Sequence, residues 1–600
     1  MDAAKKPKKK RTIFKWIAFI VLFFLLAITA TGWYLNKQWR PILKEVITNT
    51  LIDATDSLYQ IKYSNINVNI VTGNVVIDSL ELIPNLKVYQ KLISKGEAPE
   101  NLVALKILKL SLKRINPLKV YRQRKLDIKN ITIQNPELSI FYTKLKNQKK
   151  RLEDHRTAYQ RLKATLKGIK ISSIFLIAVK FKYIDQSLKT PKTTSLDRLN
   201  IRLNDILIDS LSQFDEERIF STKDIIAEIS DYSIATPDSM YRLNIKHALI
   251  SSRNKKLNLE GVGLIPRYGN VAFSNQFKVQ QERYQLTFDS VIVNQLDFIK
   301  LLDERTIKTN HLSLVNGALR VYLNRSKPRK NIDKGKNFPS LALQRSTWNI
   351  IADTVSIKST NISYTEFNPK TSQNGTLQLK NLSGRIFNVT NDSASLAKNN
   401  YSDAYTTTYI MGKGKLNSHL KFNLTDSKGG FSFNGDMGYM QTWVLNSLTK
   451  PLAMMATNSG NINSLVFNIK GNVNGAGGSL TLKYDDLKIA ILKQDEDDKI
   501  KKLGFVSILA NALLVNNANP SRKEILIVAK PYYKRPPEGS FFNLLWKTVF
   551  EGLKQSIGLT EEKQAKLTKR AKDFKEARYN REQRKLERQK QRELKKNDKK

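Results

Sequence analysis

One eight-residue pattern recurs five times in this chain: apolar, any, apolar, two polar, apolar, any, apolar. The copies are Val75-Ile77-Leu80-Leu82, Leu126-Ile128-Ile131-Ile133, Ile201-Leu203-Ile206-Ile208, Leu286-Phe288-Val291-Val293 and Leu482-Tyr484-Leu487-Ile489. Between the two apolar pairs stand Asp78-Ser79, Lys129-Asn130, Asn204-Asp205, Asp289-Ser290 and Asp485-Asp486. Apolar residues two apart mark a half-buried strand. A three-residue step between pairs would turn the second pair to the opposite face unless the backbone resets it. A bulge or tight bend does so, and Asp, Asn and Ser favour such backbone. The pattern therefore predicts a one-sided sheet with a bend built into its strands. Such a sheet curls into a groove, which suits apolar cargo better than catalysis.

The copies begin at 75, 126, 201, 286 and 482, too irregularly for a fixed-period solenoid. With about 13 residues per strand and turn, some 400 sheet residues correspond to roughly 30 strands. An ordinary β-sandwich core is the rival reading of the same strands, but no obvious linkers divide the chain into sandwiches.

The amino terminus carries Lys5, Lys6, Lys8, Lys9, Lys10 and Arg11, and then nineteen positions, 16–34, without a charge. As a helix this stretch is roughly 28 Å long, close to the ~30 Å hydrocarbon core of a bilayer. Trp16, Ile17, Leu22, Phe23, Leu25, Trp33 and Tyr34 are its anchoring residues, with aromatics at both ends. The positive-inside rule keeps residues 1–12 in the cytoplasm, makes 13–35 a single transmembrane anchor and puts the bulk outside. A cleaved signal peptide is the alternative, with small residues at Ala27, Thr29, Ala30, Thr31 and Gly32. Either way the rest of the chain is exported.

Residues 36–58 read as a membrane-proximal amphipathic helix and 59–395 as strands, interrupted near 144–170 by a basic helix or excursion. Residues 390–404, rich in Asn, Ser, Asp and Ala, read as a disordered loop. A second β region covers 396–538, followed by an amphipathic helix over 539–558 and a basic helical or disordered tail over 559–600. The helix carries Phe541, Phe542, Leu545, Trp546, Val549 and Leu553 on an apolar stripe. It can cap the last sheet edge, or lie on lipid with the basic tail drawn to anionic head groups.

Several motifs resemble the AsmA-like family of bacterial envelope proteins, related to TamB and to repeating-β-groove lipid-transfer proteins. The anchor is followed at once by strands such as Leu126–Pro136, which ends in Asn135-Pro136. Gly414-Lys415-Leu416, Phe431-Ser432-Phe433-Asn434-Gly435, Ser459–Phe467, Tyr484-Asp485-Asp486-Leu487 and the Ser540–Lys547 helix follow the family's C-terminal layout. The resemblance implies a mainly β fold with peripheral helices, anchored in the inner membrane with its bulk in the periplasm. It implies a long curled sheet conducting phospholipid along an apolar groove, contributing to outer-membrane lipid homeostasis. The groove lining would be Val75, Ile77, Leu126, Ile128, Ile201, Leu203, Leu286, Phe288, Leu482 and Tyr484. The net charge of +48 and the basic tail depart from the family pattern.

No enzyme chemistry is expected. The chain has no cysteine, which removes thiol nucleophiles and thiolate zinc sites. His155, His247, His311 and His419 are scattered singly. Asp495-Glu496-Asp497-Asp498 lacks the Gly and final Glu of a calcium loop, and Gly471–Gly478 lacks the Lys-Ser/Thr of a phosphate loop. The expected partners are membrane phospholipid, anionic lipid included, and outer-membrane or envelope proteins. No cofactor, metal or nucleic acid is expected. A scaffold for outer-membrane proteins that carries no lipid is the alternative function.

Overall fold

The computed structural model describes residues 57–559 apart from 70–71, 117–118, 120–121, 146–156, 164–165, 188–189, 495–499, 503–515 and 522, together with scattered positions between 573 and 589. The expected anchor at 13–35, nearly all of the 36–58 helix and most of the 559–600 tail lie outside these residues. Among the described residues no helix is long and apolar enough to cross a membrane. Strand makes up 57% of the structure and helix 18%, so the mainly β expectation holds, and the strands form one large mixed sheet.

The strands in chain order begin with β1 (Tyr59–Asn69), β2 (Asn74–Pro84), β3 (Asn101–Ile115), β4 (Lys125–Gln134), β5 (Glu137–Tyr142), β6 (Gly168–Asp185), β7 (Lys192–Ile208) and β8 (Thr222–Ala235). Next come β9 (Tyr241–Ser251), β10 (Lys256–Pro266), β11 (Arg283–Asn294), β12 (Thr306–Asn324), β13 (Asn349–Asn368), β14 (Gln373–Thr390), β15 (Tyr401–Ile410) and β16 (Gly414–Asn423). The last are β17 (Phe431–Met437), β18 (Met440–Gln441), β19 (Met455–Asn472), β20 (Gly475–Gln494), β21 (Ile500–Lys502), β22 (Val528–Ala529) and β23 (Tyr532–Lys534). Among the described residues that is fewer than the sequence suggests, because individual strands run long: β13 and β20 have 20 residues each.

The chain divides into two compact units. The first comprises Met1–Thr236, Leu243–Gly263 and Asp289–Leu312; the second comprises Pro237–Arg242, Leu264–Phe288 and Ser313–Lys600.

In the first unit β1, β2 and β3 form an antiparallel meander. β3 then pairs with β4 through Lys109–Ile115 and with β5 through Asn101–Lys106. β4 and β5 are thus one interrupted strand, broken at Asn135, whose φ is 49°. β6 runs parallel to both. Antiparallel neighbours can be joined by a hairpin, but parallel ones need a crossover. This explains the excursion near 144–170: it is the crossover, and its described part includes a short helix, Ala158–Leu162, with a Thr157/Gln160 capping box. Antiparallel pairing resumes with β7 and β8.

The second unit is an antiparallel meander from β13 through β17, then β19 and β20, with β22 and β23 paired to β20. The loop expected at 390–404 instead holds a helix, Ser393–Lys398, and the start of β15. Asp392 accepts from the Ser395 N–H and caps that helix, so polar composition marks a helix start here.

The bend in the strands takes a definite form. Ser79, Asp205 and Asp486 are left-handed, with φ of 53°, 55° and 45°. At Lys129-Asn130 and Asp289-Ser290 neither residue is left-handed. For β4 the left-handed residue is on the neighbour: Arg114 of β3 (φ 56°) lies between the Lys113–Asn130 and Ile115–Ile128 pairs. Ala178, Ser359 and Asn381 are further left-handed strand residues. Each such residue turns a peptide out of the ladder and takes one of its polar groups away from a backbone partner.

A polar side chain on the adjacent strand satisfies the turned group. The Ser64 hydroxyl donates to the Asp78 carbonyl, and the Thr222 hydroxyl to the Asn204 carbonyl at 2.5 Å. The N–H groups of Arg114, Ala178, Ser359 and Asn381 donate to Asn74, Asn200, Ser383 and Asn361 at 2.9–3.1 Å. Thr408 donates to the Lys380 carbonyl at 2.9 Å, and Ser459 to that of Asp486 at 2.8 Å. The reset keeps both apolar pairs on one side: Val75, Ile77, Leu80 and Leu82 are all at most 5% exposed.

Thr222→Val removes the donor to Asn204 and is expected to cost about 1–2 kcal/mol in urea unfolding. Thr193→Val, at an exposed position of β7, should stay within about 0.5 kcal/mol. Ser79→Gly should be tolerated, whereas Ser79→Val should lose about 1–2 kcal/mol, because a β-branched residue is disfavoured at positive φ.

Candidate functional site

The apolar face of the sheet is the candidate site. In the first unit it begins as a closed core. Val75, Ile77, Leu126 and Ile128 are at most 4% exposed and pack in one cluster with Leu110, Leu112, Ile169 and Ile171. Leu166 and the crossover residues Ala158 and Tyr159 pack against the same cluster. Farther along, the face opens. Ile174, Leu203 and Ile225 lie side by side on β6, β7 and β8, as do Leu176, Ile201 and Ala227. All six are half-buried. Next to them the polar side chains Ser173, Asn204 and Asp224 form their own row, with Ser173 donating to Asn204 at 3.0 Å.

In the second unit the same division recurs. Ile362 faces Leu379, which faces Ile410; these three are half-buried. Leu286 and Phe288 are half-buried as well. Gly317 leaves room for the Phe288 ring, since a Cβ there would stand 2.5 Å from Phe288 Cε1. From β16 onward the face is covered. Phe422, Phe431, Phe433, Phe467 and Ile469 belong to one apolar cluster with Phe541, Leu544 and Leu545 of the terminal helix, Phe541–Ser556. The Phe541 ring is 5.3 Å from that of Phe338, 5.6 Å from Phe422 and 5.0 Å from Phe431. Leu482 and Tyr484 are buried here, and the Tyr484 hydroxyl donates to the Asn516 carbonyl at 3.0 Å.

The helix begins at Ser540, whose hydroxyl accepts from the Asn543 N–H. It buries Phe541, Leu544, Leu545, Thr548, Gly552 and Ser556. Val549 and Leu553 are half-buried, while Phe542 and Trp546 are exposed. The buried line is therefore displaced from the apolar stripe toward small and hydroxyl residues. Thr548 and Ser556 bond the carbonyls of Leu544 and Gly552 four residues back, which satisfies them inside the core.

Arg535 secures the approach to this helix. Its side chain is 5% exposed. It donates to the carbonyls of Val473, Pro537 and Gly539 and to Asp333 Oδ1 at 2.7 Å, with its guanidinium over the Phe338 ring. The Asp333 carboxyl is held below the usual carboxylate range, first by the Gly335 N–H and then by Arg535. Asp485, beside the left-handed Asp486, is lowered in the same way by the Asn463 and Asn461 amides.

Other strands that the recurring pattern did not single out carry the same spacing, β6, β13 and β14 among them. Ile169-Ile171-Ile174-Leu176 surrounds Ser172-Ser173 on β6. Val355-Ile357-Thr360-Ile362 on β13 and Leu377-Leu379-Leu382-Gly384 on β14 differ only by a Thr and a Gly at apolar positions. Of the histidines, His155 lies outside the described residues. His247 contacts Glu228 at 3.0 Å, and His419 contacts Asp403 at 2.7 Å while stacking on Tyr405. No group of three His, Asp or Glu side chains suited to a metal occurs among the described residues. No protein-family model matches the chain, and no curated protein matches it.

Arg535→Ala strands several buried carbonyls and is expected to destabilise the second unit by on the order of 3 kcal/mol in urea unfolding. Asp333 and Asp485 have folded values below their unfolded ones. Their contribution is full above about pH 4, the ordinary carboxylate value, and is lost as pH falls through the folded values. Asp485→Asn should therefore flatten the acid limb of a stability–pH curve.

Proposed function

We propose that the chain is an inner-membrane-anchored periplasmic protein that binds phospholipid along the apolar face of its sheet and serves outer-membrane lipid homeostasis. The observation that carries this reading is the set of half-buried rows Ile174–Leu203–Ile225 and Leu176–Ile201–Ala227, beside a polar row on the same strands. A sheet face that is apolar yet incompletely covered suits an acyl chain, and each buried CH₂ contributes about 0.8 kcal/mol. Binding by area alone needs no specific contacts, so a chain can shift along such a row at nearly level energy. The charge-free stretch at 16–34 and the basic cluster before it support the anchor and its orientation. The AsmA-like resemblance supports the same cargo and compartment.

The test uses the full-length protein, extracted and examined by native mass spectrometry. Wild type is expected to retain co-purified phospholipid. Leu203→Lys, on the half-buried stretch, should lose most of it while keeping its β circular-dichroism spectrum. Ile128 is unsuitable for this purpose, because it is fully buried and a charge there would unfold the core. Wild-type protein free of lipid, or Leu203→Lys with undiminished lipid, would favour the alternative, a lipid-free scaffold for envelope proteins.

A further inference from the structure

Away from the apolar face, the second unit contains a cavity of about 290 Å³ with a different chemistry. Its lining includes Arg283 and Gln285 of β11, Arg320 and Tyr322 of β12, and Ser363 and Thr365 of β13. Each pair is two residues apart, so each strand points both members to one face. The three strands are neighbours, and the six side chains make a two-by-three polar patch. Gly269 is at its rim, where an added Cβ would meet nothing within 4 Å.

Two guanidiniums share this patch without an acid. Arg283 donates through Nε to the Tyr268 carbonyl at 2.9 Å, leaving its terminal nitrogens for another partner. Burial pushes the Arg283 guanidinium down from its usual value, and the charge of Arg320 adds to this. Among the described residues neither arginine has a carboxylate partner. The nearby acid Glu282 is bonded by Lys334 instead. Two cations held together, one of them partly desolvated, raise the free energy of the empty site. An anion bound between them removes that cost.

The donor set narrows the anion. A guanidinium presents a planar fork that grips two oxygens of one oxyanion. Two forks plus hydroxyls from other strands reach a tetrahedral group better than a planar carboxylate. Burial pushes the Tyr322 phenol up, so it stays protonated and can donate. We infer that this cavity binds a phosphate group, gripped by Arg283 and Arg320 and supported by the hydroxyls of Tyr322 and Ser363. The phosphate is either free or part of a lipid headgroup. The inference goes beyond the acyl-chain reading and is independent of it. Arg283 and Gln285 alternate with Tyr284 and Leu286 along β11, so the cavity and the Leu286–Phe288 surface are on opposite faces.

The experiment is a calorimetric titration of full-length protein in detergent with inorganic phosphate, then with dihexanoyl-phosphatidylglycerol below its micelle concentration. Wild type is expected to bind phosphate saturably. Arg283→Gln and Arg320→Gln should each weaken it at least tenfold. Thermal unfolding supplies a second readout. Phosphate should raise the Tm of wild type but not of either variant, and without phosphate Arg320→Gln should melt no lower than wild type, because repulsion has been removed. Competition between the short-chain lipid and phosphate assigns the site to a headgroup; binding of phosphate alone assigns it to the free ion. Affinity unchanged in both folded variants, or an equal Tm rise with chloride at matched ionic strength, would overturn the inference.

Discussion

A peptide turned out of a β-ladder needs a partner, and the way this chain supplies one underlies the rest of the fold. Long strands keep their apolar residues on one side only if the alternation is reset along the way. The left-handed residues do that, and each takes a backbone polar group away from its partner in the ladder. Ser64, Thr222, Asn200, Ser383, Asn361 and Thr408 reach across from adjacent strands to satisfy those groups. The apolar face therefore depends on hydroxyl and amide side chains that take no part in it. Strand length follows from the same device, since a strand that can be reset need not end where its alternation would fail.

Part of this was legible in the sequence. At Ser79, Asp205 and Asp486 a polar pair stands between two apolar pairs, and the residue types tolerate positive φ. Arg114 and Ala178 gave no such signal. Neither residue type favours the left-handed region, so their conformation is imposed by the register of neighbouring strands. Partners such as Thr222 and Asn200 read locally as ordinary polar strand residues, because their role exists only across the ladder. The parallel alignment of β6 was hidden for a similar reason. A basic excursion before a strand is visible, but the direction in which that strand docks is not.

The terminal helix shows how periodicity can find an element and only part of its inner face. The apolar stripe through Phe541, Phe542, Leu545, Trp546, Val549 and Leu553 reads either as a cover for the sheet edge or as a surface for lipid. Packing buries Phe541 and Leu545 of that stripe, together with Leu544, Thr548, Gly552 and Ser556. Close approach to the sheet favours small residues: a Cβ on Gly552 would stand 2.9 Å from Leu480 Cδ1. The two sequence readings of this helix, as a cover for the sheet and as a surface for lipid, concern different faces of it. The inward face covers the sheet, while Phe542 and Trp546 remain outward.

The crossover before β6 also bears on the order in which the chain can assemble. Lys125 pairs with Gly168, and Glu137 with Lys180, so these contacts span 43 residues. The hairpin contacts of β15 with β16 close over far shorter loops. Closing long loops is slow because the entropy is lost before the pairing compensates it. A chain emerging from its amino terminus completes β1 to β5 early and then holds the free side of β4–β5 open until residue 185 has passed. Through that interval an unpaired strand edge is exposed beside a basic, water-loving segment. The hairpins from β13 through β17 have no comparable wait, because each of these strands pairs with the one just made.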